Sequence, residues 1–92
     1  MLTIKYSSSF KKDVKLLIKR GWNINFMEEV IYTLRNKIKL PERYRDHQLA
    51  GEFKNYRDCH IKGDWVLIYR VLEDEGVLQL VRTGTHDDLG ID

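Results

Sequence analysis

An α+β fold is predicted by three features of the chain. A short alternating segment comes first, two amphipathic helical stretches follow it, and three β-rich segments joined by tight charged turns fill the second half. Helices and strands are thus segregated along the sequence. The expected architecture is an N-terminal strand and a two-helix hairpin packed on a mainly antiparallel four-stranded sheet.

Each element has a local reason. Leu2, Ile4 and Tyr6 alternate with Thr3 and Lys5, as in a half-buried strand. Ser7, Ser8 and Ser9 offer N-cap oxygens to a helix that places Phe10, Val14, Leu17 and Ile18 on one face and Lys11, Lys15 and Lys19 on the other, with Gly21 as its stop. Asn25 and Glu28 have the spacing of a capping box. Met27, Val30, Ile31, Leu34 and Ile38 form the apolar side of the second helix, which ends before Pro41. Leu40 to Gly51 reads as a loop or short helical turn, placing His47 on a connection. Glu52 to Ile61 reads as the second strand, with Tyr56, Asp58 and His60 on one side, and Lys62-Gly63-Asp64 turns the chain. Trp65 to Leu72 is nearly continuous apolar sequence, suited to a central strand covered on both faces. The charged turn Glu73 to Gly76 leads into a fourth strand, Val77 to Thr83. Counting two helical reversals and two hairpins, the first and fourth strands are expected to run antiparallel if they are neighbours.

Ninety-two residues are expected to form one domain over residues 1–92, with any active site on the surface of a single core. Composition is that of an ordinary globular protein. No run approaches the ~20 apolar residues of a membrane span, and the start lacks a signal-peptide pattern, so a cytoplasmic protein without a membrane partner is expected. Cys59 is the single cysteine, which excludes an internal disulfide and reads as a small buried strand residue. The net charge of +2 hides an asymmetry. Through Arg45 there are eleven Lys and Arg against four acids, and from Asp46 onward five against ten, so the halves carry +7 and −5. The acids gather in the Glu73-Asp74-Glu75 turn and at Asp87, Asp88 and Asp92, leaving a basic helical face that can steer toward phosphates.

Polar chemistry concentrates between Tyr44 and Tyr69. There Tyr44, Tyr56 and Trp65 interleave with Arg45, Arg57, Lys54 and Lys62, a mixture that offers stacking faces and phosphate-binding cations to single-stranded RNA. If the strands form a meander, His60, Asp64, Arg82 and His86 converge at one sheet edge, providing a proton donor, an acceptor and a cation around one phosphate. A small ribonuclease is the reading.

Four motifs sharpen it: Tyr44-Arg45-Asp46-His47, Tyr56-Arg57-Asp58-Cys59-His60-Ile61-Lys62, Asp64-Trp65-Val66-Leu67-Ile68-Tyr69, and Arg82-Thr83-Gly84-Thr85-His86 followed by Asp88-Leu89. Together they resemble the YafQ branch of RelE-type toxins, and the likeness extends more weakly over the N-terminal strand and helices. The resemblance implies a compact α+β fold that cleaves messenger RNA in the ribosomal decoding site and is silenced by a co-expressed antitoxin. Operator DNA would be reached only through that antitoxin. Position by position, it assigns catalytic or RNA-contact roles to His47, His60, Asp64, Trp65, Arg82 and His86. Arg45, Arg57 and Lys62 join Trp65 as expected substrate-binding residues. One departure stands out: where such toxins usually end in Asp-Leu-Phe, with an aromatic expected to stack on a substrate base, this chain has Asp88-Leu89-Gly90.

The expected chemistry needs no cofactor. In metal-free RNA cleavage the neighbouring 2′-hydroxyl is the nucleophile, so the protein supplies a base, an acid and positive charge. Histidine, with an unperturbed pKa of ~6.5, suits either proton role. His86 is the candidate acid. Asp64 or His60 is the base, with Asp64 alternatively orienting His60 and keeping it protonated. Arg82 would offer paired donors to nonbridging oxygens, an effect worth roughly 3 kcal/mol per well-aimed donor. Trp65 would both pack and position the site. A zinc site from His47, His60 and His86 would need three separated segments and has no close-spaced ligand pair. Two other readings stay open. One is a non-catalytic binding module, since toxins of this fold can act by binding DNA gyrase; the other is a weakened toxin acting mainly through antitoxin binding.

Overall fold

The computed structural model describes residues 1–91; Asp92 of the acidic tail lies outside them. Strand β1 (Thr3–Tyr6) passes directly into helix α1 (Ser8–Lys19). Ser7 makes that change local. Its hydroxyl accepts the Phe10 amide hydrogen at 2.9 Å and donates to the Val81 carbonyl at 2.6 Å, so one side chain caps the helix and pins it to the last strand. Helix α2 (Asn25–Arg35) departs from the expected capping box: Asn25 is already helical, and Asn23 Oδ1 accepts its amide hydrogen instead. The helix ends well before Pro41. Lys37 takes a left-handed turn at φ +59°, and Arg35 is drawn to the N-terminal strand, its Nε donating to the Leu2 carbonyl at 2.9 Å.

Four more strands follow: β2 (His47–Gln48), β3 (Arg57–Lys62), β4 (Trp65–Leu72) and β5 (Val77–Thr85). They form one five-stranded sheet in the order β1-β5-β4-β3-β2, with β4 at its centre. The sheet is mixed, because β1 runs parallel to β5. This corrects the expectation of an antiparallel pair in a four-stranded sheet. The additional strand β2, inside the segment read as a loop, pairs antiparallel with β3 and adds one reversal of the chain. The second strand also starts later than Glu52. Gly51–Phe53 is a turn of 3-10 helix, and the Tyr56 amide closes it on the Phe53 carbonyl before β3 begins. At the other end β5 runs on to Thr85, and the short helix α3 (His86–Leu89) follows without a loop.

The core lies between the helices and one face of the sheet. Phe10 and Leu17 of α1 and Met27, Val30, Ile31 and Leu34 of α2 pack with Leu67, Tyr69, Leu78 and Leu80. Truncating Leu17, which is fully buried, to Ala is worth about 2–5 kcal/mol of stability. Two expected core residues are outside. Ile18 is 58% exposed because it follows Leu17 by one helical step, and Ile38, 56% exposed, lies beyond the end of α2. Val66 and Ile68 are buried on the opposite face, so β4 is covered on both sides as its sequence predicts.

Candidate active site

The ladder between β4 and β5 assembles the site. Trp65 and Thr85 are register partners, so Asp64, which precedes one, and His86, which follows the other, become neighbours across an antiparallel pair. His86 Nδ1 is hydrogen-bonded to Asp64 Oδ1. The carboxylate accepts, which places the proton on Nδ1 and leaves Nε2 as the free end of the ring. A register shift between His60 and Lys62 bends β3 just where it turns toward Asp64, and the His60 ring stands 5.3 Å from that of His86, centroid to centroid. His60 and His86 are half-buried. The hydrogen bond of Asp64 is thus to His86 and not to His60.

Helix α3 is held from two directions. Thr85 and Asp88 form a reciprocal capping box, with the Asp88 amide donating to Thr85 Oγ1 and the Thr85 amide donating to Asp88 Oδ2, each at 3.0 Å. Arg20, at the end of α1, binds the same Asp88 carboxylate through both of its terminal nitrogens at 2.7 and 3.0 Å. The Arg20 guanidinium and the Thr85 donors hold the Asp88 carboxyl well below the usual carboxylate range. The first residue of this helix is His86, so the clamp fixes its position.

A buried carboxylate lies beneath the histidines. Asp58 is 2% exposed, its Oδ1 has no hydrogen-bond partner among the described residues, and that oxygen is 4.0 Å from His60 Nε2. Strand pairing sets it opposite His47, and alternation along β3 sets it on the face of His60. Burial raises the Asp58 carboxyl above its ordinary range, while His47, His60 and His86 pull it back down. All three histidines thus act on one buried acid. Sequence reasoning placed Asp58 on the side of His60 but gave it no role; the signal was the i, i+2 spacing of an acid and a histidine on a strand. It also missed the Asp88 clamp, although Thr85-x-x-Asp88 has capping-box spacing.

The remaining expected site residues divide. His60, Asp64, His86, Lys62 and Arg45 line one cleft of about 340 Å³, joined by Arg43, which sequence reasoning did not single out. Arg82 does not line that cleft. Its guanidinium is held by Asp13 of α1 through Nε at 2.7 Å and a terminal nitrogen at 3.1 Å, so the expected convergence of four residues holds for three. The Asp13 carboxylate thus occupies one side of the Arg82 fork. Arg57 is likewise paired, with Asp46 at 3.2 Å, and Tyr69 donates to the same oxygen at 2.5 Å. His47 is exposed on β2 with Nδ1 2.6 Å from the Arg45 carbonyl, which leaves its Nε2 free. Trp65 is buried in the core and donates to Thr83 Oγ1 at 2.8 Å. Among the described residues, no three His, Cys, Asp or Glu side chains are arranged to hold a metal ion.

A family model described as bacterial toxin of type II toxin-antitoxin system, YafQ, matches residues 2–90. The chain is 43% identical over 84 residues to the mRNA interferase toxin YafQ of Escherichia coli K12, covering 90% of this chain and 89% of that protein. Among solved structures, a metal-bound toxin from Helicobacter pylori superposes with a TM-score of 0.91 at 40% identity, covering 97% of this chain and 99% of that one. The toxin of the E. coli DinJ-YafQ toxin-antitoxin complex superposes with a TM-score of 0.86 at 42% identity, covering 96% of each chain.

Proposed function

The chain belongs to the YafQ family of toxins from bacterial type II toxin-antitoxin systems, and from that membership we propose how it cleaves RNA. It is an mRNA interferase, an endoribonuclease whose partner is a cognate antitoxin. His60 and His86 flank the scissile phosphate. His60 takes the proton of the 2′-hydroxyl, the 2′-oxygen attacks phosphorus to give a 2′,3′-cyclic phosphate, and His86 Nε2 donates a proton to the departing 5′-oxygen. Asp64 orients His86 through Nδ1 and stabilises its cationic form before transfer. The observation that carries this reading is the pair itself: one histidine hydrogen-bonded to a carboxylate and a second whose ring stands 5.3 Å away, in a cleft walled by Arg43, Arg45 and Lys62.

Those three cations take the phosphate-binding part that sequence reasoning gave to Arg82, which acts instead as the strut between β5 and α1. Asp58 is a positioning residue, a buried carboxyl whose Oδ1 faces His60 Nε2 at 4.0 Å. His47 lies on the same face and binds RNA or assists as a base. A Helicobacter pylori relative is a metal-bound toxin, whereas among the described residues of this chain no three His, Cys, Asp or Glu side chains are grouped to hold a metal ion.

The short chain has few residues with which to enclose RNA, so the translating ribosome supplies the rest of the substrate orientation. The test compares cleavage of a defined message on translating ribosomes and free in solution, with product ends mapped. Cleavage much faster on ribosomes and ending in a cyclic phosphate is expected. Equal rates would reject ribosome dependence, and cleavage of a target lacking the reactive 2′-hydroxyl would overturn the mechanism.

A further inference from the structure

Beside the histidine cleft is a second concavity of about 350 Å³, lined by Trp22, Phe26 and Trp65 together with Asn23, and sharing Lys62 and Asp64 with the cleft. We propose that it is a base-binding slot, which receives an unpaired nucleobase adjoining the phosphate between His60 and His86. The proposal rests on the RNA-cleaving reading of that cleft and adds a specificity site to it.

Continuity is the first argument. Lys62 and Asp64 line both hollows, so a strand whose phosphate lies in one has its neighbouring nucleotide at the other. The lining is the second. Trp65 is buried, but Trp22, in the α1–α2 connection, is half-buried against the core and Phe26 of α2 is 38% exposed, so the slot presents aromatic surface to solvent. Every base has a π-face, and aromatic rings hold it without demanding one sequence. Charge is the third argument. Lys62 Nζ sits 4.2 Å over the Phe26 ring, a cation that suits a phosphate beside a bound base, while the Arg20 guanidinium, 5.7 Å from the Trp22 ring, is engaged by Asp88. Asn23 adds selectivity. Its Oδ1 is committed to the Asn25 amide, so the group it can offer a base is its Nδ2 donor, which favours bases presenting an acceptor.

The test uses ribosomes programmed with a message that carries 2-aminopurine on one or the other side of the cleavage position and a 2′-deoxy sugar at that position, so that binding is read without cleavage. The wild-type toxin should quench 2-aminopurine fluorescence at one of the two positions. Phe26→Ala should lose most of the quenching and raise KM on a cleavable message about tenfold, the effect of one lost stacking contact, while Phe26→Tyr retains both. His86→Gln should quench like the wild type without cleaving, which separates the slot from the chemistry. If the wild type cleaves without quenching, or Phe26→Ala leaves quenching and KM unchanged, the slot is not a base site and the cleavage reading stands alone. Loss of antitoxin affinity in Phe26→Ala with quenching intact would also overturn the proposal, and would assign the hollow to a protein side chain.

Discussion

Asp58 Oδ1 faces His60 Nε2 at 4.0 Å from a position almost wholly out of water, with no hydrogen-bond partner among the described residues. Burial raises this carboxyl above its ordinary range, so the folded chain holds its proton more tightly than the unfolded chain. Stability therefore falls as pH rises from the ordinary Asp value of ~3.9 through the raised one. Asp58→Asn should be more stable than the wild type at neutral pH, by about 1 kcal/mol for relief of a buried unpaired charge, with the difference vanishing below about pH 4. Its cleavage should slow, and any part of the acid limb of the pH–rate profile that reports protonation of Asp58 should disappear. Thermal melts across pH and single-turnover rates measure both; a pH-independent loss of rate would reduce Asp58 to packing.

His86→Ala should fold and bind antitoxin but lose roughly two to four orders of magnitude in cleavage, the contribution of a positioned acid. A substrate with sulfur as the leaving atom needs little protonation and should recover much of that rate. Because Asp64 contacts His86, Asp64→Asn should be rescued as well, whereas His60→Gln should not. Rescue of all three variants, or of none, would remove His86 as the acid.

The Arg20–Asp88 clamp should respond to acid in the opposite sense from Asp58. A carboxyl held below its ordinary range adds stability that is present above the unfolded value and lost as pH falls from ~3.9 toward the folded one. Asp88→Asn should lower the melting temperature at pH 7 and converge with the wild type in strong acid. It should also slow cleavage, since His86 begins the helix that Asp88 caps. Unchanged activity with a lower melting temperature would mean that α3 does not position His86.

Restoring an aromatic at the end of the chain is a natural experiment on the sequence alone, but the backbone opposes it. Gly90 closes α3 in the left-handed conformation at φ +68°. Gly90→Phe should fray that helix at a cost of about 1–2 kcal/mol and slow cleavage instead of raising it. Gly90→Ala separates the two effects, since it carries the strain without the ring. A faster Gly90→Phe would show that ring contacts outweigh the strain.

Lys11, Lys15 and Lys19 are all exposed on α1, away from the core-facing Phe10 and Leu17. Reversing their charge should weaken antitoxin binding, most strongly at low salt, with the fold intact. Affinity unchanged across the series would move the interface elsewhere.

Long-range sheet chemistry was legible where the sequence was unambiguous. Trp65–Leu72 is continuous and apolar and became the central strand with the predicted bounds, and Ser7 caps α1 as its spacing implies. Errors arose where few residues carry a non-local contact. The two residues of β2 have no periodicity to detect, yet they set the direction of everything after them and make β1 and β5 parallel. The same holds at the site. The pairing of Trp65 with Thr85 brings Asp64 to His86, and no local pattern shows that Asp13, distant in sequence, would occupy the Arg82 fork.

Cys59 sits between Asp58 and His60 on β3, with no surface exposed and a thiol that burial pushes far toward its neutral form. Alkylating reagents attack thiolates, so the intact protein should resist them, and modification must wait for β3 to part from its neighbours. Reagent uptake by this one sulfur then times the opening of the strand that carries His60. Measured with and without bound antitoxin, that lifetime shows whether inhibition blocks a standing catalytic surface or changes how long the surface persists.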